Sequence, residues 1–230
     1  MKLTWFGHSG FRLEIGGQVL LIDPWFSGNP MFPEYRRAEA IEGATHILLT
    51  HGHGDHASDT PTLASDLEVP VICIHELSEI FAARGGIEAM GMGKGGTISL
   101  GEVSVTMVNA VHSSSMDFEG GIQYAGDPAG FMIEGEGHVI YVTGDTDIMA
   151  DMQWMGELHK PDIGILCCGG HYTMDMARAA YAAKRYFEFK TIIPCHYRTF
   201  PLLAQSAAPL AEMVPGVEVR ELEVMTPTEF

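Results

Sequence analysis

One α/β domain spanning residues 1–230, with two sheets packed together and helices outside, is the architecture this sequence predicts. Three observations predict it. Short apolar runs of strand length recur along the whole chain, helical periodicity appears between them from residue 60 onward, and no linker-like stretch interrupts the 230 residues. Hydrophobic residues make up 46%, enough for a sizeable core.

The elements follow in order. "KLTWF", "FRLEI" and "QVLLID" read as strands joined by glycine-rich turns. "PWFSGNPMFPEYRRAEA" reads as an aromatic and proline-bearing loop, either a flap over a groove (Trp25 to Tyr35) or a segment packed flat. "THILLT" is a buried strand, and helix, strand ("VPVICI") and helix alternate from Thr60 to Arg84. "EVSVTMVNAVH" alternates as a strand ending on His112, and "AGFMIEGEGHVIYVTGD" is a hairpin whose second strand delivers Asp145. "DIGILCC" is a further buried strand. Helical periodicity from Met174 to Phe189 leads into the strand "KTIIPCH", which ends on His196. A helix near Gln205 to Val214 and the strand "VEVREL" close the chain. No internal repeat stands out.

Thirty acidic residues against thirteen basic ones give a formal charge of −17. That balance argues against a nucleic-acid surface, which needs a basic footprint, and against adsorption to anionic lipid. The opening "MKLTWFGHSGF" alternates like a strand, so neither an export signal nor a membrane span is expected. Cys73, Cys167, Cys168 and Cys195 lack zinc-thiolate spacing and are expected to stay reduced and buried, which fits a cytoplasmic protein. The fourteen methionines are expected to fill the core.

The chemistry concentrates at strand ends. "HGHGDH" puts His51, His53, Asp55 and His56 within six residues, with Gly52 and Gly54 leaving the approach unblocked. His112, Asp145 and His196 each follow another strand-like run, and ligands commonly bind where strand ends expose their loops. Imidazole nitrogen and carboxylate oxygen suit zinc, manganese or iron, so the residues point to a metal site with more than one ion.

These residues resemble the metallo-β-lactamase superfamily, whose His-x-His-x-Asp-His motif "HGHGDH" matches, with His112, the Asp145 of "VTGDTD" and the His196 of "IIPCHY" in the family's order. More narrowly, "FGHSGF", "LIDPWFSGNP", "GGHYTMD" and "IPCHYRTFP" are similar to bacterial metal-dependent hydrolases related to L-ascorbate-6-phosphate lactonase. The resemblance covers essentially the whole chain. It implies a four-layer αβ/βα sandwich with two divalent ions, zinc first and manganese or iron as alternatives, in a groove at one edge of the sheets. His51, His53 and His112 would hold the first ion, Asp55, His56 and His196 the second, and Asp145 both. Coordination lowers the pKa of water to about 7, so a shared hydroxide would attack a carbonyl or phosphoryl centre. Asp55 would also orient that nucleophile or pass its proton on.

Other residues are read beside these, His8 through the same resemblance and His171 and Asp23 from their places at strand ends. His8 is expected beside the metals, touching substrate or supporting a ligand, and His171 is expected to protonate a leaving group or stabilise an oxyanion. Asp23 either starts a turn before Pro24 or accepts a hydrogen bond from a ligand histidine. Tyr197 joins them as a substrate-side or supporting residue. His46, His75, His138 and His159 have no motif around them and are expected to be structural or solvated.

The expected activity is hydrolysis of a small ester, lactone or phosphodiester, with a small molecule as partner and a homo-oligomer allowed. A metal-dependent nuclease or phosphodiesterase is the alternative, opposed for RNA by the net charge. A diiron redox protein would need a flavin partner and typically a carboxylate where His53 stands. A secreted β-lactamase would need an export signal.

Overall fold

The computed structural model describes residues 1–84, 87–118 and 121–230. The chain opens with an antiparallel meander of β1 (Lys2–Gly7), β2 (Gly10–Ile15) and β3 (Gln18–Ile22). It then changes character. Helix α1 (Arg37–Ile41) leads to β4 (His46–Leu48), α2 (Gly54–Ala57) and α3 (Thr60–Leu67) to β5 (Val71–Ile74), and α4 (His75–Arg84) to β6 (Ala89–Met92). Strands β3 to β6 pair in parallel, which requires such crossovers.

The second sheet repeats that pattern without repeating the sequence. β7 (Thr97–Leu100) and β8 (Val103–Asn109) are followed by a separate hairpin, β9 (Ser115–Phe118) with β10 (Gly121–Tyr124). β11 (Ala129–Gly135) and β12 (His138–Val142) complete the antiparallel part. Helices α5 (Met152–His159), α6 (Met176–Tyr186) and α7 (Ala208–Met213) then alternate with the parallel strands β13 (Ile163–Cys167), β14 (Thr191–Cys195) and β15 (Glu218–Val219). A last short strand, β16 (Thr228–Glu229), returns to the edge of the first sheet beside β1. The orders are β16-β1-β2-β3-β4-β5-β6 and β15-β14-β13-β12-β11-β8-β7. These are the two mixed sheets with outer helices that the sequence predicts.

Burial explains the patterns. β5, β13 and β14 are buried at every residue, as parallel strands covered on both faces should be. β2 and β8 alternate, with one face on the common core. The sheets meet through one apolar cluster, where Trp5 stacks on Tyr197 at 5.6 Å between ring centroids.

Strand direction places the chemistry. β1 runs antiparallel to β2, and β2 to β3, so β1, β3 and β4 end at the same edge. The same reasoning through β11 brings the ends of β8, β12, β13 and β14 to one edge of the second sheet. The two edges are adjacent, since the His196 amide donates to the His8 carbonyl and the Ala129 amide to the Thr50 carbonyl.

Several expectations need correcting. The aromatic loop ends in a 3₁₀ turn and α1, and its middle packs flat: Phe26 and Phe32 are buried and their rings lie against Phe6. β8 stops three residues short of His112. "VEVREL" keeps only two paired residues, because only β14 lies beside it. Helix α5 escapes the sequence reading because Gly156 weakens its helical signal. A Cβ there would meet the Tyr186 carbonyl oxygen at 1.9 Å, so glycine permits close packing on the end of α6.

Candidate metal centre

Six strand ends supply the site. His8 follows β1, Asp23 follows β3, and His51 to His56 follow β4; His112, Asp145 and His196 follow β8, β12 and β14. Within the histidine loop, the amides of His56 and Ala57 donate to the His53 carbonyl, so α2 begins immediately and turns Asp55 and His56 back toward the strand ends. Gly52 earns its place by proximity rather than by a special backbone angle. A Cβ there would lie 2.7 Å from Ala125 Cβ and 2.9 Å from Met116 Cγ, so only glycine lets the hairpin region close over the loop. Gly54 meets nothing within 4 Å.

The side chains converge in two sets around one carboxylate. His51, His53 and His112 bring one ring nitrogen each within 4.8 Å of one another, and so do His8, His56 and His196 with a carboxylate oxygen of Asp55. His51 Nε2 and His53 Nδ1 are 3.0 Å apart. Neighbouring ligands on a tetrahedral zinc ion, at about 2.0–2.1 Å from the metal, stand roughly 3.3 Å apart. Asp145 Oδ2 lies 3.1 Å from His196 Nε2, 3.4 Å from His56 Nε2, 3.6 Å from His112 Nε2 and 3.9 Å from His51 Nε2, thus reaching into both sets.

Behind these groups stand oriented partners. Asp23 is a structural acceptor: Oδ2 takes hydrogen bonds from His56 Nδ1 at 2.8 Å and the Thr50 hydroxyl at 2.6 Å, and Oδ1 takes the Thr50 amide at 2.8 Å. The Thr50 hydroxyl also lies 3.0 Å from His51 Nδ1. One buried carboxylate therefore braces one histidine of each set, directly or through Thr50, and turns their Nε2 atoms toward Asp145. His8 is fully buried, with Nε2 3.0 Å from Asp55 Oδ2 and Nδ1 2.8 Å from the Thr199 hydroxyl. His8, Asp23, His171 and His196 all have positive φ, between 43° and 61°, which is uncommon for residues other than glycine. Such backbone strain gathers at functional sites.

Charge is distributed unevenly. Burial drives the His51 imidazole well below its usual range, assisted by its histidine neighbours. Burial also opposes charge on His56, but Asp145 and Asp23 overcome it and hold its proton firmly. The Asp145 carboxyl stays well below the usual carboxylate range although burial opposes this, because His196 and His56 face it. His8 is pushed down to about 4, chiefly by burial. It is neutral at physiological pH, and its single ring proton must face Asp55, since a carboxylate only accepts. The Thr199 hydroxyl then donates to Nδ1.

Two expected residues sit apart from this cluster. Tyr197 is buried, stacks on Trp5 and gives its hydroxyl to Glu221 at 2.9 Å, which anchors the strand end. His171 is exposed on the turn after β13, its ring against Tyr172. That turn is tied to the site's own loops, the Gly169 carbonyl accepting from the Ala204 amide and the Thr146 carbonyl from the Met174 amide. Thr50, Thr199 and Ser114, whose hydroxyl accepts from the Gly52 amide, were missed by sequence reasoning. Thr50 could have been suspected from its place between a strand and His51; the other two carry no local signal.

The donor set fits divalent metal. Among the described residues, His56 Nε2 and Asp145 Oδ1 are buried without a hydrogen-bond partner. Leaving such atoms unpaired costs about 1–3 kcal/mol each, and both belong to groups facing the convergence point.

Fold and site together define a metallo-β-lactamase-fold protein with a His/Asp metal centre. The metallo-β-lactamase fold protein YhfI of Bacillus subtilis superposes with a TM-score of 0.75, covering 99% of this chain and 98% of its own at 15% identity, a likeness of fold alone. Igni18, a metallo hydrolase from Ignicoccus hospitalis, is more similar: TM-score 0.86 and 30% identity over 100% of this chain and 98% of that one. The Beta-lactamase superfamily domain matches residues 18–197. The chain belongs to the UPF0173 family of metal-dependent hydrolases, and the member from Paracoccus denitrificans is 67% identical over 99% of both chains.

Proposed function

We propose that the chain hydrolyses a small ester, lactone or phosphodiester at a two-ion centre, with zinc as the first choice of metal and manganese or iron as alternatives, in the cytoplasm. His51, His53 and His112 would hold one ion, Asp55, His56 and His196 the other, and Asp145 both. Bound ions supply a hydroxide nucleophile near neutral pH and Lewis acidity toward the substrate oxygen. The observation that carries the reading is Asp145, whose Oδ2 lies within 3.1–3.9 Å of four histidine nitrogens drawn from both sets.

The chain's own groups then divide the work. Asp23 and Thr50 fix ring orientation, so that Nε2 of His51 and His56 points inward. His8 holds Oδ2 of Asp55, the same oxygen that lies 3.9 Å from His196 Nε2, and so steadies that carboxylate beside the ligand set. Asp55 is the more open carboxylate, with 32% of its side chain exposed against 3% for Asp145, which supports its reading as the group that would orient a nucleophile or pass on its proton. His171, on its exposed turn, is suited to protonating a leaving group at the rim.

The test has two parts. Protein purified without chelators is assayed for bound metal, expected near two ions per chain, and metal-loaded protein is offered ester, lactone and phosphodiester panels. The resemblance of the motifs to relatives of L-ascorbate-6-phosphate lactonase is the reason lactones stand in the panel. Failure to turn over any member by the fully loaded protein refutes the proposal.

A further inference from the structure

A groove of about 410 Å³ opens directly beside the candidate centre, lined by His53 and Gly52 at its inner end. One wall comes from Ser58 and Pro61, where α2 meets α3, and the other from Met116, Asp117 and Ile122 of the β9–β10 hairpin. Its size is that of a small-molecule site. Ile122 is 76% exposed, although a branched apolar side chain on a groove wall gains by being covered. Met116 is already packed against the loop on the same wall. Pro61 faces them from α3. Ser115 and Asp117 also line the groove, and a carboxylate or phosphate seated against Ile122, Met116 and Pro61 would give up hydration that these apolar side chains cannot replace.

We propose that this groove is the subsite for an uncharged, apolar portion of the substrate, an alkyl or aryl chain attached to the bond that is cut. Continuity with His53 decides the occupant: a group seated between Ile122 and Pro61 is joined, through the inner end of the same groove, to the convergence point of the histidines. The inference rests on the hydrolase reading only for what happens to the bond; the groove's preference for apolar ligands is separate. It favours substrates with a hydrophobic acyl or alcohol part over phosphorylated sugars or polynucleotides.

Two measurements test it on zinc-loaded protein. In the first, p-nitrophenyl esters from acetyl to octanoyl are compared with carboxylate-ended half-esters of matched length. Each methylene the groove buries is expected to raise kcat/KM about fourfold until the groove is full. The half-esters are expected to fall at least about tenfold behind, and the chain-length dependence to flatten in Ile122→Ser and Ser58→Trp at unchanged metal content. In the second, the neutral fluorophore N-phenyl-1-naphthylamine is expected to bind the wild type, to be displaced by octanol, and to lose binding in Ser58→Trp, whose fold is checked by circular dichroism. A flat chain-length series, a preference for the charged esters, or equal fluorophore binding by both proteins overturns the subsite. If no ester, lactone or phosphodiester is cut while the fluorophore still distinguishes the variants, the hydrolase reading falls and the subsite stands.

Discussion

Replacing Asp23 by asparagine tests the brace behind the histidines with almost no change in shape. The carboxylate accepts the Thr50 amide at one oxygen and the Thr50 hydroxyl and His56 Nδ1 at the other. An amide offers only one acceptor atom. Its better orientation keeps oxygen toward His56 and sets an NH₂ against the Thr50 amide, leaving two donors face to face in a buried place. An unsatisfied buried donor costs about 1–3 kcal/mol, and two charge-assisted bonds reduced to neutral ones lose about 1 kcal/mol between them or more. The sum, about 3 kcal/mol, corresponds to a fall in Tm of roughly 6–12 °C for a chain of this length. Because His56 also loses its fixed ring orientation, metal affinity is expected to fall about 10–100-fold. Differential scanning fluorimetry reads the first quantity, and titration of zinc-loaded protein with a chromogenic chelator reads the second. A Tm within about 2 °C of wild type, together with undiminished zinc retention, refutes the brace.

Other perturbations have equally definite outcomes. Asp145→Ala removes the carboxylate shared by both histidine sets, and metal content and hydrolysis should fall together; full occupancy with unchanged turnover contradicts its assignment. Gly52→Ala sets a methyl group 2.7 Å from Ala125 and should cost about 1–3 kcal/mol by prising the hairpin region off the loop, read as a lower Tm and slower proteolysis-resistant refolding of activity. The Asp59 carboxyl lies below its ordinary range although burial opposes this, held there by the Ser27 hydroxyl, the Phe26 and Ser27 amides and Arg37. With the folded pKa depressed below an unfolded value of about 4, its stabilisation is present above pH 4 and is lost as pH falls through the folded pKa. Urea melts of wild type and Asp59→Asn between pH 6 and 3 should therefore converge toward the acid end.

The sequence was informative wherever a residue's role is tied to its immediate neighbours. The strand ends that carry His51, Asp145 and His196 are legible because β4, β12 and β14 are apolar runs that stop at a polar residue. Asp23 stood evenly between a turn and a support, since nothing local reveals that His56, 33 residues on, donates to it. Thr199 is further beyond reach, meeting His8 across 191 residues. The surroundings of Tyr197 are equally hidden from the local sequence. The left-handed backbone at His196 and the stack on Trp5 turn its ring away from the His196 side chain. The β9–β10 hairpin is hard to read from sequence because its strands are four residues each, so the alternation of Met116 with Phe118 and of Ile122 with Tyr124 spans too little chain to stand out.

His8, Asp23 and the histidine loop belong to one sheet, while His112, Asp145 and His196 belong to the other. Any cation gripped by both sets works as a rivet between slabs that are otherwise joined mainly by greasy contact. Stripping it with a chelator should loosen the two slabs at their shared rim before either comes apart internally, so amide exchange should quicken first in the loops after β4, β12 and β14 and last in the strands' own interiors.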